Sequence, residues 1–394
     1  MAVRTKELAH QRASELDALI DGMILLDRNG FGIDSDEKCV ALYYHPIALG
    51  NPFQALYYSK ALENGILPIG LNNLSNIEGF RSIIPSVVHL HWLGEVIGDA
   101  ENSKVAQKRV DEFIIKIDAL KSNGFKIVWT VHNILPHDSI LQNEQTRLRM
   151  ELIKRCDVIH TMCEQTVELA KSFYSIPKEK IICVPHPSYE DYYPIHSEKL
   201  DARYQLGIDG DEFVFLFFGS IQAYKGLHGL IRAFKGLKSK TNRKIRLLIA
   251  GKVHNPSNFK TIKDEITSSP DISLIQNRIS TEDVQYFFKA SDVCVCPYRI
   301  TLNSGVAHLA HTFKIPVIGP NVGGFKELLD DGGGLLFKQL DGEDLLQKML
   351  ESMSLNSEVI VKEISESNKK HHPNIISERF SKLLKKSLED LGGE

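Results

Sequence analysis

The chain has 394 residues, 43% hydrophobic and 25% charged, with a formal net charge of −3. That length exceeds one ordinary core and predicts two domains of a soluble globular protein, while the slightly negative balance excludes a nucleic-acid binder that works through bulk positive charge. Six cysteines, Cys39, Cys156, Cys163, Cys183, Cys294 and Cys296, stand in apolar contexts without a metal-type spacing, and read as small core residues in a reducing compartment. Residues 1–7 lack the apolar core of a signal peptide and no stretch approaches a transmembrane span, so the expectation is a cytoplasmic protein.

In chain order, residues 1–28 carry an imperfect helical stripe (Leu8, Leu16, Leu19, Ile20, Met23, Leu26) and form a helical leader extending to about residue 37. Strands are predicted at 40–44, 87–92, 126–131, 158–160 and 181–184, with an extended piece from Leu67. Helices are predicted at 53–64, 105–120, 143–154 and 164–174. This alternation implies a parallel sheet covered on both faces. Between Ser188 and Gly210 the chain turns polar and aromatic, which places a linker there. A second alternating set follows, with strands at 213–218, 245–250, 272–275, 293–297 and 316–318 and helices at 227–236, 257–267, 282–290, 304–313 and 325–329. The organisation is therefore α/β: two Rossmann-like, doubly wound units at 1–195 and 196–375, then a helix at 376–394. That helix carries Phe380, Leu383, Leu384 and Leu388 on one face with Lys382, Lys385 and Lys386 elsewhere. It reads either as a docking helix that packs back on the first domain or as a peripheral membrane-surface helix.

Ligands in open α/β sheets bind beyond the carboxyl ends of the strands. The polar residues that follow the strands are Gly50, Asn51, His91, Trp92, His132, His137 and His186 in the first unit. In the second they are Gly219 to Lys225, Asn277, Arg278, Arg299, Ser304, Gly305 and the glycines before Glu327. Two of these loops end in a glycine-bearing helix start, one of them with Lys225, and a helix start of this kind presents free backbone N–H groups to an anion. His89 and His91 have a spacing that can bind metal, but no third ligand stands at a fixed offset, so no metal site is predicted. Asp34-Ser35-Asp36 reads as a solvated turn.

Taken together, Gly219-x5-Lys225-Gly226, Pro297-Tyr298-Arg299, Ser304-Gly305-Val306, Gly323-Gly324-x2-Glu327 and Gly332-x-Gly334 resemble the family-4-type glycosyltransferases of GT-B fold. In the first half Gly50-Asn51-Pro52-Phe53, His89-Leu90-His91-Trp92 and His132-Asn133 agree, and the resemblance spans roughly residues 38 to 340. It implies transfer of a sugar from a UDP- or GDP-linked donor to a hydroxyl on a glycan or lipid-linked acceptor, with retention, without metal or other cofactor, in bacterial polysaccharide or envelope glycan synthesis. It implies His132 and Lys225 as catalytic residues and Gly219, Ser220, Lys225, Arg299, Ser304 and Gly305 around the donor diphosphate. Asn277, Arg278 and Glu327 would lie at the nucleotide, and Gly50, Asn51, His91, Trp92 and His137 on the acceptor side.

Two departures stand out. Thr301 and Leu309 occupy the positions of a glutamate pair that many such enzymes carry, and Ser220 and Gln222 occupy positions where an arginine is frequent. Arg299 is the expected compensating cation. The alternatives are a non-catalytic subunit of the same fold that binds nucleotide or glycan, and a nucleotide-sugar epimerase.

Overall fold

The structure, a computed structural model, describes residues 39–391 apart from 49, 81–83, 137–139, 254–255, 300, 331 and 339–342. The helical leader, Asp34, Asp36 and His137 lie outside the described residues. Six strands, β1 (Val40–His45), β2 (Ile66–Gly70), β3 (Ser86–Leu90), β4 (Lys126–Thr130), β5 (Val158–Thr161) and β6 (Ile181–Cys183), form one parallel sheet in the order β2-β1-β3-β4-β5-β6. Six more, β7 (Phe213–Phe218), β8 (Ile245–Ala250), β9 (Ile272–Ile275), β10 (Val293–Val295), β11 (Val317–Pro320) and β12 (Gly334–Phe337), form a second in the order β12-β11-β10-β7-β8-β9.

The strand sequences explain why both sheets are interior. In β7 the residues Phe213, Phe215 and Phe217 enter a core on one side of the sheet, while Val214 and Leu216 enter a separate core on the other. A strand buried on both faces reads as an unbroken apolar run rather than an alternating one. The two-sheet α/β architecture expected from the alternation is present.

Several boundaries differ from the sequence reading, each for a tertiary reason. The helix expected over 53–64 stops after Phe53–Tyr57 and resumes as a 3-10 turn at Leu62–Asn64. Its ladder is interrupted where the Lys60 N–H donates to Ser377 Oγ at 2.9 Å instead of to its own helix. The helix expected over 164–174 is confined to Thr166–Ala170, and beyond it the Tyr174 hydroxyl donates to the Ile134 carbonyl at 2.9 Å. Inside the expected linker lies a helix, Lys199–Leu206, hidden by its polar composition. It is held by Arg203, which donates to the Ala290 carbonyl at 3.0 Å and pairs with Asp292 at 2.8 Å. Strand β12 and the helices Glu343–Ser352 and Ser357–Lys370 were not foreseen as elements.

The C-terminal helix, Pro373–Asp390, returns to the first sheet. Ile376, Phe380 and Leu384 are buried in the same core as Val40, Leu42, Tyr57, Val128 and Val158. A helix of five residues such as Phe53–Tyr57 is about 7.5 Å long and cannot cover a sheet of six strands, whereas one of 18 residues spans about 27 Å. The apolar stripe of the tail is thereby spent on covering the first domain, with the Phe380 ring 4.8 Å from Tyr57 and stacked on His89 at 5.3 Å. Ser377 and Ser381, both fully buried, keep the helix close. Phe380→Ala is expected to lower stability by about 3 to 5 kcal/mol in urea unfolding; a loss under about 1 kcal/mol would mean that the tail contributes no cover.

Candidate functional site

Strand order locates the site before any side chain is considered. In the first sheet the chain passes from β1 to β2 on one side and then to β3 on the other; in the second it passes from β7 through β8 and β9 and returns to β10. Each reversal opens a crevice at the carboxyl ends of the two diverging strands. The loops after β7 and β10 carry Gly219 to Lys225 and Tyr298 to Gly305. Those after β1 and β3 carry Gly50, Asn51, His91 and Trp92.

On the second domain the loop after β7 is shaped by backbone contact. Gly219 has φ +97°, and Gly251 at the end of β8 has φ +153°, where a Cβ would lie 1.9 Å from the Gly219 carbonyl oxygen. Only glycine permits both the conformation and the approach. The turn Ala223–Lys225 then brings the Lys225 ammonium beside Gly219, where a Cβ would lie 3.2 Å from Nζ and 3.5 Å from Val306 Cγ2. The start of helix Gly305–Thr312 thus meets the lysine. Ser304 caps that helix by accepting from the Ala307 N–H, and the N–H groups of Gly305 and Val306 have no acceptor among the described residues.

Lys225 is only 7% exposed, and no carboxylate pairs with it among the described residues. Its closest aromatic partner is Tyr298, whose ring centroid lies 5.4 Å from Nζ. Desolvation lowers its pKa to about 8. A buried ammonium without a counter-ion is costly unless an anion arrives to pair with it. The other residues predicted around a diphosphate are arranged less directly. Ser220 Oγ accepts from Gln222 Nε2 at 3.0 Å, and Arg299 has an exposed side chain while its N–H ties its loop to the Tyr224 carbonyl at 2.8 Å. Leu309 is a core residue, and the Thr301 hydroxyl donates to the Asn303 carbonyl.

The wall formed by the first domain is aromatic and neutral. His132 Nε2 lies 2.9 Å from His91 Nδ1, and its ring stacks on Trp92 with centroids 4.2 Å apart and meets the edge of Phe53 at 5.0 Å. Burial, reinforced by neighbouring histidines, holds His132 and His89 well below the ordinary imidazole range, and burial takes His91 down to about 3 and His160 to about 4. Next to Trp92 lies a cavity of about 200 Å³ that His45, Asn73, Glu95 and Lys116 also line.

The two walls meet. His186, after β6, stacks on His308 with centroids 4.8 Å apart, and a Cβ on Gly305 would lie 2.5 Å from the Tyr189 hydroxyl. Leu302 packs in the first domain's core and Leu56 in the second's. Gly50, expected on the acceptor side, abuts the Arg278 guanidinium, 2.5 Å from where its Cβ would stand. Asn51 Oδ1 accepts from the Phe53 N–H at 3.1 Å. Asn277 and Arg278 are exposed beyond β9. Glu327, expected at the nucleotide, accepts instead from the Glu164 N–H of the first domain at 2.7 Å, and burial raises its pKa. The Gln165 side chain makes the reciprocal contact with the Gly323 N–H at 2.7 Å. His308 and the Glu327 bridge were not singled out in the sequence; a histidine four residues after the Ser304 cap was the available signal.

The buried imidazoles give the fold an acid limit. His160, His186 and His311 are each lowered to about 4, mainly by burial, against 6.5 for the free ring. The unfolded chain therefore binds protons near pH 6.5 that the folded chain refuses until about pH 4, so stability is full above 6.5 and falls as pH drops through this window. Urea unfolding between pH 7 and about pH 5, above most carboxylate titration, is expected to show a loss of up to about 1.4 kcal/mol per pH unit for each such ring; a flat profile would contradict neutral burial.

Comparison with known proteins adds the following. Residues 198–371 match the family described as Glycosyl transferases group 1. The chain is 26% identical over 203 residues to a D-inositol 3-phosphate glycosyltransferase of Stackebrandtia nassauensis, covering 49% of this chain and 45% of that one. It is 22% identical over 236 residues to a GDP-mannose:glycolipid 4-beta-D-mannosyltransferase of Xanthomonas campestris, covering 59% and 61%. The chain spans about half the length of the curated relatives it matches, between 45% and 55% for the D-inositol 3-phosphate glycosyltransferases of Stackebrandtia and Corynebacterium. Among solved structures it superposes on sucrose-phosphate synthase from Thermosynechococcus elongatus with a TM-score of 0.68 at 14% identity, covering 90% of this chain and all of that one. It superposes on Anabaena HepE in complex with UDP and glucose with a TM-score of 0.63 at 15% identity, covering 88% and 100%. Residues 198–371 thus match the Glycosyl transferases group 1 family, within a chain whose two parallel six-stranded sheets form the GT-B fold.

Proposed function

We propose that this protein is a glycosyltransferase that moves a sugar from a nucleoside-diphosphate sugar to an acceptor hydroxyl. The observation that carries the reading is the Lys225 ammonium, buried without a carboxylate partner among the described residues, beside Gly219 and the N–H groups of Gly305 and Val306, which have no acceptor among those residues. Breaking the anomeric C–O bond leaves negative charge on the departing diphosphate, and a preorganised cation with helix-end N–H groups stabilises that charge in the transition state more than in the ground state. These groups supply the neutralisation that a divalent ion would otherwise give, so the reaction is read as metal-independent and without a cofactor. The sugar becomes oxocarbenium-like, and with retention the leaving phosphate itself takes the acceptor's proton. No protein carboxylate base is then required, in keeping with a first-domain wall built of His91, Trp92 and His132.

The donor is read as UDP- or GDP-linked: HepE is solved with UDP, and the Xanthomonas relative is named for GDP-mannose. Asn277 and Arg278 are the side chains offered to the nucleotide, with Arg299, Ser220 and Ser304 assigned to the diphosphate. For the acceptor, the cavity lined by Trp92, His45, Asn73, Glu95 and Lys116 combines an aromatic face with polar groups of both signs, which suits a glycan or the saccharide of a lipid-linked carrier. Gly50 and Asn51 are assigned to the same acceptor side. Capsular polysaccharide biosynthesis appears in the name of a Staphylococcus aureus relative that is 26% identical over 205 residues, and polysaccharide or envelope glycan assembly in the bacterial cytoplasm is the proposed setting. No helix among the described residues is long and apolar enough to cross a membrane.

One observation favours a second reading, a nucleotide- or glycan-binding subunit without turnover: Leu309, in place of an acidic residue, is 5% exposed and lies in the core. Hydrolysis or transfer from a nucleotide sugar by the purified chain separates the two, since a pure binder gives none.

A thermal-shift panel of UDP, GDP, ADP and CMP compounds, with and without EDTA, is expected to single out one nucleotide and to be insensitive to EDTA; stabilisation that needs a divalent ion would refute the metal-free cradle. Lys225→Met is expected to lower kcat/KM by about 100- to 1,000-fold while leaving Tm unchanged or raised, because it removes an uncompensated buried charge. Near-normal turnover of that variant would sink the diphosphate assignment. Diphosphate binding is also expected to weaken as pH rises above about 8, where Lys225 loses its proton in the free protein; equal affinity at pH 7 and pH 10 would exclude this lysine as the anion's partner.

A further inference from the structure

A line of hydrogen bonds runs from the cleft into the first domain without a break. His132 Nε2 lies 2.9 Å from His91 Nδ1, and His91 Nε2 lies 2.8 Å from the Tyr58 hydroxyl. Tyr58 is also 2.7 Å from His89 Nδ1, and His89 Nε2 is 2.7 Å from the Thr130 hydroxyl. Thr130 is 2.9 Å from His160 Nδ1. The line ends at His160 Nε2, 2.9 Å from the Val184 carbonyl and 2.7 Å from the Tyr57 hydroxyl. Every side chain in it except His132 is buried.

Such a line has two self-consistent directions and no others. A neutral imidazole has one N–H and one lone pair, and each hydroxyl here donates to one ring and accepts from the next. Choosing the tautomer of one ring therefore chooses all four. A carbonyl oxygen can only accept, so the Val184 carbonyl requires the proton of His160 on Nε2. His160 Nδ1 must then accept from Thr130, which accepts from His89 Nε2–H; His89 Nδ1 accepts from Tyr58, which accepts from His91 Nε2–H; and His91 Nδ1 accepts from His132 Nε2–H. In the opposite direction the His160 Nε2 lone pair would accept from the Tyr57 hydroxyl at 2.7 Å but would also face the carbonyl lone pairs at 2.9 Å, a repulsion that the Nε2–H form replaces with a hydrogen bond.

We propose that the Val184 carbonyl, acting through this buried line, fixes His132 as the Nε2–H tautomer and leaves its Nδ1 as a bare lone pair at the cleft, with His160, Thr130, His89, Tyr58 and His91 as positioning residues. His132 Nδ1 has no hydrogen-bond partner among the described residues and is not one of the buried polar atoms without a partner. What it meets must bring a hydrogen to donate, so the group recognised there is a hydroxyl of the sugar or the acceptor rather than a carbonyl or ether oxygen. This deepens, and rests on, the glycosyltransferase reading. The low proton affinity of these rings keeps the line neutral: it sets an orientation and does not carry a charge inward.

The test uses the full chain labelled with 15N in its histidine rings. NMR is expected to show His132 protonated at Nε2 and unprotonated at Nδ1; an Nδ1–H form in the unaltered protein overturns the proposal. Tyr58→Phe and Thr130→Val each cut the line while keeping its shape. Both are expected to give a mixture of His132 tautomers and to lower kcat of sugar transfer by about 10- to 100-fold with donor KM unchanged. Should one of them not fold, the other carries the test. Tyr57→Phe removes an equally buried hydroxyl 2.7 Å from the same ring system but lies off the path that the carbonyl sets, so tautomer and kcat are expected to stay. Loss of kcat in Tyr57→Phe equal to that in Tyr58→Phe would assign the effect to packing and reject the proposal. Absence of any turnover in the unaltered chain would reject the glycosyltransferase reading alone, since the tautomer is read without activity.

Discussion

A parallel sheet must be covered on both faces, and this chain has two such sheets to cover. The second sheet is served by the helices that connect its own strands and by the two that directly flank them, Lys199–Leu206 and Glu343–Ser352. The first is not: on one face its local cover is the single short helix Phe53–Tyr57, and the C-terminal helix Pro373–Asp390 returns across the molecule to bury Ile376, Phe380 and Leu384 there. With the faces closed by apolar contact, the carboxyl ends of the strands are where polar loops collect. The same requirement that stabilises the fold leaves one cleft with glycine, lysine and histidine on its rims.

The two walls of that cleft are electrostatically unlike. One holds a desolvated ammonium, Lys225, with no carboxylate beside it among the described residues, and two helix-end N–H groups near it. The other holds histidines kept neutral by burial and locked ring to ring through Tyr58 and Thr130. A positive wall facing a neutral, hydrogen-bonding aromatic wall suits a ligand with an anionic half and a hydroxylated half. Contacts such as Glu327 with the Glu164 N–H and His186 with His308 join the walls directly, so the spacing between them is set by polar and stacking interactions together with the apolar contacts of Leu302 and Leu56.

The two doubly wound units were legible because buried parallel strands such as Phe213–Phe218 are unbroken apolar runs, and the Gly219 to Lys225 loop was legible because its glycines and lysine follow such a run. What failed were elements whose cause is distant. Helix Lys199–Leu206 has a polar sequence, with Tyr204 84% exposed, and exists because Arg203 finds Asp292 and the Ala290 carbonyl. The break after Tyr57 is made by Ser377, more than 300 positions away. His89 and His91 have a spacing that can bind metal, but their partners are the Tyr58 and Thr130 hydroxyls and the His132 ring, which only the tertiary structure brings to them.

By itself, then, the sequence determined the two parallel sheets, the rims on which polar residues stand and the presence of a lysine after a glycine turn, because these depend on local periodicity and on backbone conformations that few residues adopt. Only the tertiary structure decided that Lys225 is buried without a counter-ion among the described residues, that Glu327 is engaged across the cleft, and that His132 ends a line of four imidazoles. Desolvation and hydrogen-bond direction are properties of what surrounds a group, and for these residues the surroundings come from strands and helices far apart in the chain.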